Sequence, residues 1–295
     1  MYSSVRERLV HLHHCRGIGW KSIARLFQLD ASLASIFTLP YATLASYLSI
    51  TKEQSLLFFQ DLHSITIQSM IKTYKEKDIH IVTVFDKEYP HLLRHIYEPP
   101  WVLYAKGNLE WMNLHKIISI VGTRTPTSEG LQAVQVLVQP LVKKGWVIVS
   151  GLALGIDTAA HQTAIQYGGK TIAVIAGGLF HIYPKQNRGL AKQMMRNQLI
   201  ISEYPPYTKP QKWQFPLRNR IISGLSLGTV IIEASERSGS LITADFALEQ
   251  GREVFSVPGS IFSEQKRGTN RLIQQGAKLV LCAEDIMDEF AHLFH

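Results

Sequence analysis

From Lys116 onward the chain alternates between short, unbroken apolar runs and longer stretches with apolar positions at helical spacing. The runs are "KIISIVGTR", "WVIVSGLA", "KTIAVIAGG", "QLIISEYPP", "GTVIIEAS", "REVFSVPGS" and "KLVLC", most of them rich in valine and isoleucine. Neighbouring side chains of a strand point to opposite sides of its sheet, so a strand that is apolar throughout needs cover on both faces. The intervening segments, 127–144, 156–167, 187–197, 219–226, 240–250, 268–275 and 284–294, read as the covering helices. This alternation predicts an α/β fold, an extended Rossmann-like, doubly wound and mostly parallel sheet.

The beginning of the chain follows a different period. "VRERLVHLHHCRGIGWKSIARLF" places apolar residues at helical spacing on both sides of Gly17-Ile18-Gly19, and Pro40 and Thr51 punctuate further helices. We expect a small all-helical domain over residues 1–78 and the α/β domain over 79–295, opening with the strands "HIVTVFD" and "WVLYAKG". The Gly17-Ile18-Gly19 turn has two readings. Its N–H groups grip a DNA phosphate, as in a helix-hairpin-helix, or it is an ordinary tight turn with Ile18 and Trp20 in the core.

Composition narrows the class. Of 295 residues 46% are hydrophobic and 18% charged, enough for a large core and too few charges for a long disordered part. The two cysteines, Cys15 and Cys282, match no metal-ligand spacing and fit a reduced compartment. The N-terminal stretch carries Arg6, Glu7 and Arg8 and does not read as a signal peptide, and apolar stretches such as Thr171–Ile182 are too short to cross a bilayer. The expectation is a soluble cytoplasmic protein with no membrane contact and no bound metal.

The net charge is +8, and residues 185–220 hold eight basic residues against one acid, Glu203. Concentrated positive charge points to a polyanionic partner or to a solvated basic face. In a doubly wound sheet, ligands bind outside the carboxyl ends of the strands. The loops leaving those ends are "VGTRTPTSEG", "SGLALGIDTAAH", "AGGLFHIYPKQNRG", "SEYPPYTKPQKWQFPLRNR" and "EASERSGSLIT". Each supplies glycine, hydroxyl or cation, which suits a surface that holds several phosphates. Neither Gly-x-Gly-x-x-Gly nor a Walker-type stretch follows the first strand, so no nucleotide cofactor is expected. The basic segment is interleaved with Tyr183, Tyr204, Tyr207, Trp213 and Phe215. Cations that track a backbone and ring faces that stack bases describe single-stranded nucleic-acid binding, although about half of these rings are expected in the core. Asp157 and His161 share a helix face and Glu233 ends a strand at the same edge, which sketches a general-base site. Helix capping by Asp157 and a structural hydrogen bond by His161 account for them as well, and no catalytic residue is assigned.

Taken together, "VGTR", "SGLALGIDTAAH", "YPKQNR", "SEYPP", "FPLRNRIISGLS", "EASERSGSLITADFALEQGREVFSVPGS" and "GTNRLIQQGAKLV" resemble, in order, the DprA/Smf family of bacterial DNA-processing proteins over residues 116–281. The helical N-terminal part resembles that family's SAM-like domain. The resemblance implies a homodimer that binds single-stranded DNA without sequence preference, protects it and loads the RecA recombinase during natural transformation. Arg124 and Lys185 match the family's basic pocket, and Ser150, Gly151, Arg218 and Asn219 fall in motifs that line it. Asn187, Arg188, Lys212 and Arg220, in the same basic stretch, complete the candidate DNA-binding set. Many members carry a C-terminal winged helix, which is not expected here because His295 follows a last helix. That helix, "AEDIMDEFAHLFH", has an apolar stripe of Ile286, Met287, Phe290, Leu293 and Phe294. With Ile273 and Leu279 nearby, part of this end is expected to form the dimer surface and part to pack inward. The alternative function is a Rossmann-like hydrolase that cleaves nucleoside monophosphates at the glycosidic bond, with Glu233 near a "RSGSLIT" loop.

Overall fold

A computed structural model describes residues 4–294; Met1–Ser3 and His295, the outer ends of the two expected domains, lie outside them. The chain divides into two compact units, Met1–Lys87 with Glu98–Tyr104, and Glu88–Tyr97 with Ala105–His295.

The first unit contains α1 (Val5–His14), α2 (Trp20–Leu29), α3 (Tyr41–Leu48), α4 (Lys52–Ser64), α5 (Ile67–Glu76) and β1 (His80–Thr83). Thr51 starts α4 with a reciprocal cap: its hydroxyl accepts the N–H of Gln54, and the Gln54 side chain accepts the N–H of Thr51. One side of the Gly17-Ile18-Gly19 turn is packed, because a Cβ on Gly17 would run into the Gln54 carbonyl, while Gly19 is exposed with open space around it. Trp20 donates its indole N–H to the Pro99 carbonyl at 2.6 Å and stacks on Trp101. The turn joins α1 to α2.

The second unit carries the sheet. After α6 (His91–Arg94), β2 (Val102–Gly107) runs from the first unit into the second. There follow β3 (Ile117–Val121), α7 (Ser128–Lys143), β4 (Val147–Ser150), α8 (Ile156–Gln166), β5 (Lys170–Ile175), α9 (Arg188–Asn197) and β6 (Leu199–Ser202). Then come α10 (Gln214–Gly224), β7 (Gly228–Ile231), α11 (Gly239–Glu249), β8 (Glu253–Ser256), α12 (Arg267–Gln274), β9 (Lys278–Leu279) and α13 (Ala283–Glu289). The last seven strands lie in the order β6-β5-β4-β3-β7-β8-β9, and their pairings are parallel. Every residue of β3, β4 and β7 is buried, as strands covered on both faces must be. One core joins α7, α8 and α13 to the sheet through Val134, Leu137, Leu141, Ala160, Val230, Phe255 and Ile286. On the central pair, the only polar side chains satisfy each other: Ser119 and Thr229 hydroxyls meet at 2.7 Å.

Two helices depart from the sequence expectation. The expected helix 219–226 starts earlier, at Gln214, because Pro216 falls in the first turn, where its missing N–H has no helical partner to lose. The expected helix 284–294 ends at Glu289 and continues only as a short 3₁₀ turn, Ala291–Leu293. Its stripe packs mainly inward: Ile286 and Phe290 are core residues, and Met287 and Phe294 lie against them. The last strand, β9, is two residues long, and Lys278 on it is ion-paired with Glu253 and Glu289.

Candidate nucleic-acid interface

The chain runs outward from β3 through β4, β5 and β6, then returns to the other side of β3 as β7. Connections therefore leave β3 and β7 in opposite directions, and a crevice opens between their carboxyl ends. A cleft of about 390 Å³ occupies that place. Its walls are Gly122, Thr123 and Arg124 after β3, Ser235 to Ser240 in part after β7, Ala153 and Asp157 from the β4–α8 turn, and Phe215, Pro216, Arg218 and Asn219 from α10.

Local rules explain how these groups converge. Gly155, with φ of 79°, is left-handed, and a Cβ there would strike the Thr123 carbonyl and the Arg124 backbone, so only glycine lets the two loops touch. The Ile156 N–H donates across that contact to the Thr123 carbonyl at 3.2 Å. Ser238 caps α11, accepting the Ser240 N–H at 3.4 Å. The first turn of α11 thus borders the cleft with its positive dipole end.

Beneath the cleft lies a buried charge pair. Asp157 accepts the N–H groups of Gly151 at 3.1 Å and Ala153 at 3.3 Å, which fixes the turn quoted as "SGLALGID". Burial pushes its carboxyl above the ordinary carboxylate range, and the Arg218 guanidinium pulls it back down. Arg218 is itself only 5% exposed. Burial lowers its guanidinium to about 10 while Asp157 opposes the fall, so it is charged at neutral pH. It donates to the Val174 carbonyl at 2.6 Å and shares with Asp157 the space that a Cβ on Gly151 would need. His161 lies deeper. Thr171 gives its single hydroxyl proton to the Ile148 carbonyl, so Nδ1 of His161 is the donor in their 2.6 Å contact. Burial, then the charge of Arg218, lowers this imidazole to about 3.

A smaller recess continues from the cleft past Arg124, Gly151, Phe215 and Arg218 to Tyr183 and Pro184. Lys185 follows at once and is exposed, as are Arg188, Lys192, Arg196, Lys209 and Lys212. The rings of this region meet in edge-to-face pairs, Phe180 with Tyr207, Tyr183 with Phe215 and Tyr204 with Trp213. Phe180, Tyr183, Tyr207 and Trp213 keep exposed surface, and Tyr204 and Phe215 are half-buried.

The profile of the DNA recombination-mediator protein A family matches residues 80–291. The chain belongs to this family. It is 53% identical over 220 residues to the DNA processing protein DprA of Bacillus subtilis, covering 75% of this chain and 74% of that protein. To DprA of Streptococcus pneumoniae it is 48% identical over 208 residues, 70% of this chain and 73% of the relative. An X-ray structure of DNA processing protein A from S. pneumoniae matches with a TM-score of 0.82 and 36% identity, over 98% of this chain and 99% of that one. A structure of DNA processing protein A from Helicobacter pylori, reported for its single-stranded DNA binding mode, matches with a TM-score of 0.67 and 30% identity. It covers 74% of this chain and 97% of its own.

Within this member of the DNA recombination-mediator protein A family, the residues singled out from the sequence fall into three groups. Arg124, Gly151, Arg218 and Asn219 come together around the cleft and its recess. Lys185, Arg188 and Lys212 are exposed on the basic segment outside the cleft lining. Ser150, Asn187 and Arg220 are placed as braces. The Ser150 hydroxyl donates to the Ile120 carbonyl at 2.6 Å. Asn187 donates to the carbonyls of Leu152 and Ala153 and to Thr158, and Arg220 is buried in an ion pair with Glu203 at 2.5 Å. Sequence reasoning passed over Ser235 and Thr243 as wall residues, although both lie in the quoted "EASERSGSLIT" stretch. It also left unseen that Pro216 and Ile242 give the cleft an apolar rim. Among the described residues no cluster of histidine, cysteine, aspartate or glutamate has the arrangement of a metal site, and no helix is long and apolar enough to cross a membrane.

Proposed function

We propose that this protein binds single-stranded DNA without sequence preference and acts in DNA processing. The observation that carries the reading is the cleft at the β3/β7 switch point. It combines the Arg124 guanidinium with the first turn of α11 and opens through Tyr183 and Phe215 onto exposed cations. Phosphates sit on Arg124 and on the helix terminus, with Arg218 behind them as a fixed positive charge. Bases lie against Phe215, Pro216 and Tyr183, faces that a closed duplex does not offer its bases to. No base-edge reader is needed, which makes the binding indifferent to sequence. The names and binding mode reported for its relatives support the same reading.

The family's description as a recombination mediator supports a finer role. The protein protects incoming single strands in the cytoplasm and delivers them to the RecA recombinase during natural transformation, with no chemistry of its own. The groups that a glycosidic hydrolase would use support a non-enzymatic role, since each has a structural task. Asp157 holds two backbone N–H groups and His161 faces Thr171. Glu233 is wholly buried and absent from the cleft wall. The protein works as a homodimer. Leu279 and Leu281, 46% and 70% exposed, form the centre of the surface we assign to the partner copy, and half-buried Ile273 is assigned to it as well.

A titration against labelled single- and double-stranded oligonucleotides across salt tests the binding. If about four phosphates are neutralised, log K falls with log salt at a slope of about −3 for the single strand. A preference for duplex, or an affinity indifferent to salt, overturns the reading. In the same preparation, Ile273→Arg and Leu279→Arg are expected to sediment as monomers, recombinase filaments are expected to nucleate faster on protein-coated strands, and nucleotides are expected to release no free base.

A further inference from the structure

Two buried charges lie outside the cleft wall. Glu233, two residues past β7, is wholly buried, and Lys266, at the start of α12, is 5% exposed. Their charged ends approach to 3.5 Å. One oxygen of Glu233 accepts the Thr127 N–H at 2.9 Å, and the other accepts the Thr127 hydroxyl at 2.5 Å. The main-chain oxygen of Glu233 accepts the Thr123 N–H at 2.8 Å. Thr127 is also the cap of α7, accepting the Gly130 N–H at 3.1 Å. One residue is therefore bonded to both ends of the Thr123–Thr127 segment, and Arg124 is the cation that this segment presents. Lys266 donates to the Ile232 carbonyl at 3.2 Å, and its stem fills the space over Gly259. The pair thus joins the loops after β3, β7 and β8.

Removing two opposite charges from water is unfavourable, and apolar residues of the same volume would serve stability as well. What a buried pair with directed hydrogen bonds supplies is a single geometry. We infer that Glu233, charged against Lys266, is a positioning residue that holds the Thr123–Thr127 loop in the shape that presents Arg124 to a phosphate, an inference that rests on the DNA-binding reading above.

The test uses the whole protein and a fluorescein-labelled oligothymidylate, with affinity measured across salt and thermal unfolding followed in parallel. Glu233→Gln keeps the side-chain shape and removes the charge. It is expected to weaken binding about tenfold and to make the slope of log K against log salt shallower by about one, because one phosphate contact is lost. In an Arg124→Ala background the same change is expected to add less than about a twofold loss, since the two residues act through one contact. Thr127→Val, at a partly exposed position, is expected to weaken binding in the same way, and Thr127→Ser to restore it; this pair decides the matter if Glu233→Gln does not fold. Equal losses in both backgrounds, an unchanged salt slope, or a Thr127→Val protein that binds like the parent overturns the inference and leaves the DNA-binding reading standing. A parent protein that binds no single strand overturns both.

Discussion

Charge reversal at Arg124, and separately at Lys185, is expected to lower single-stranded DNA affinity by more than about tenfold without a change in thermal stability. Arg124 is exposed at the mouth of the cleft, and Lys185 is exposed just beyond the recess. Neither is part of the hydrophobic core. Arg124→Glu places a carboxylate where a phosphate is to sit, so it replaces attraction by repulsion, and its effect exceeds that of Arg124→Ala. Lys185→Glu acts further along the track, so its effect is expected to grow with oligonucleotide length. Anisotropy titrations at fixed ionic strength measure both. An Arg124→Glu protein that binds like the parent places the DNA elsewhere on the molecule.

Asp157→Ala is expected to destabilise the second unit by about 3 kcal/mol, the cost of leaving a buried charge and its neighbours without their partner. The change strips Arg218 of the opposite charge it faces and frees the buried N–H of Gly151 and the N–H of Ala153 at the cleft wall. Asp157→Asn retains an acceptor and is expected to lie between. Urea unfolding monitored by circular dichroism measures the loss, and a midpoint equal to the parent's refutes the account of Asp157 as an anchor. Because the same carboxylate orders the turn at the cleft floor, the alanine variant is also expected to bind DNA more weakly at temperatures where it is folded.

Most of the fold was legible in the chain because its strands are buried on both faces. Ile117–Val121 and Val147–Ser150 have no polar side to blur the assignment. The site was legible only where a loop announces itself by glycine and cation, as at Arg124. What stayed hidden depends on partners remote in sequence. Nothing near Arg220 shows that Glu203 takes it out of reach of a ligand. Nothing in "PLRNR" separates Arg218, which lies under the cleft, from the exposed Lys212 a few residues before it. Glu233 reads as an acid beside a phosphate loop until Thr127 is seen to occupy it. The terminal stripe reads as part core and part surface, and only the fold shows that Ile286 and Phe290 are among the residues that face the sheet. In each case the pattern gives the periodicity, and the tertiary partner decides the role.

The two-residue length of β9 governs how copies of this protein can meet. An open sheet edge offers a ladder of unpaired N–H and carbonyl groups on which another chain can add a strand, and then another without limit. Here that ladder spans only Lys278 and Leu279. A ladder this short offers too few N–H and carbonyl groups to hold an added strand. In the dimer proposed above, association at this end is therefore left to side chains such as Leu279 and Leu281. The geometry allows a closed pair and disfavours fibrous growth.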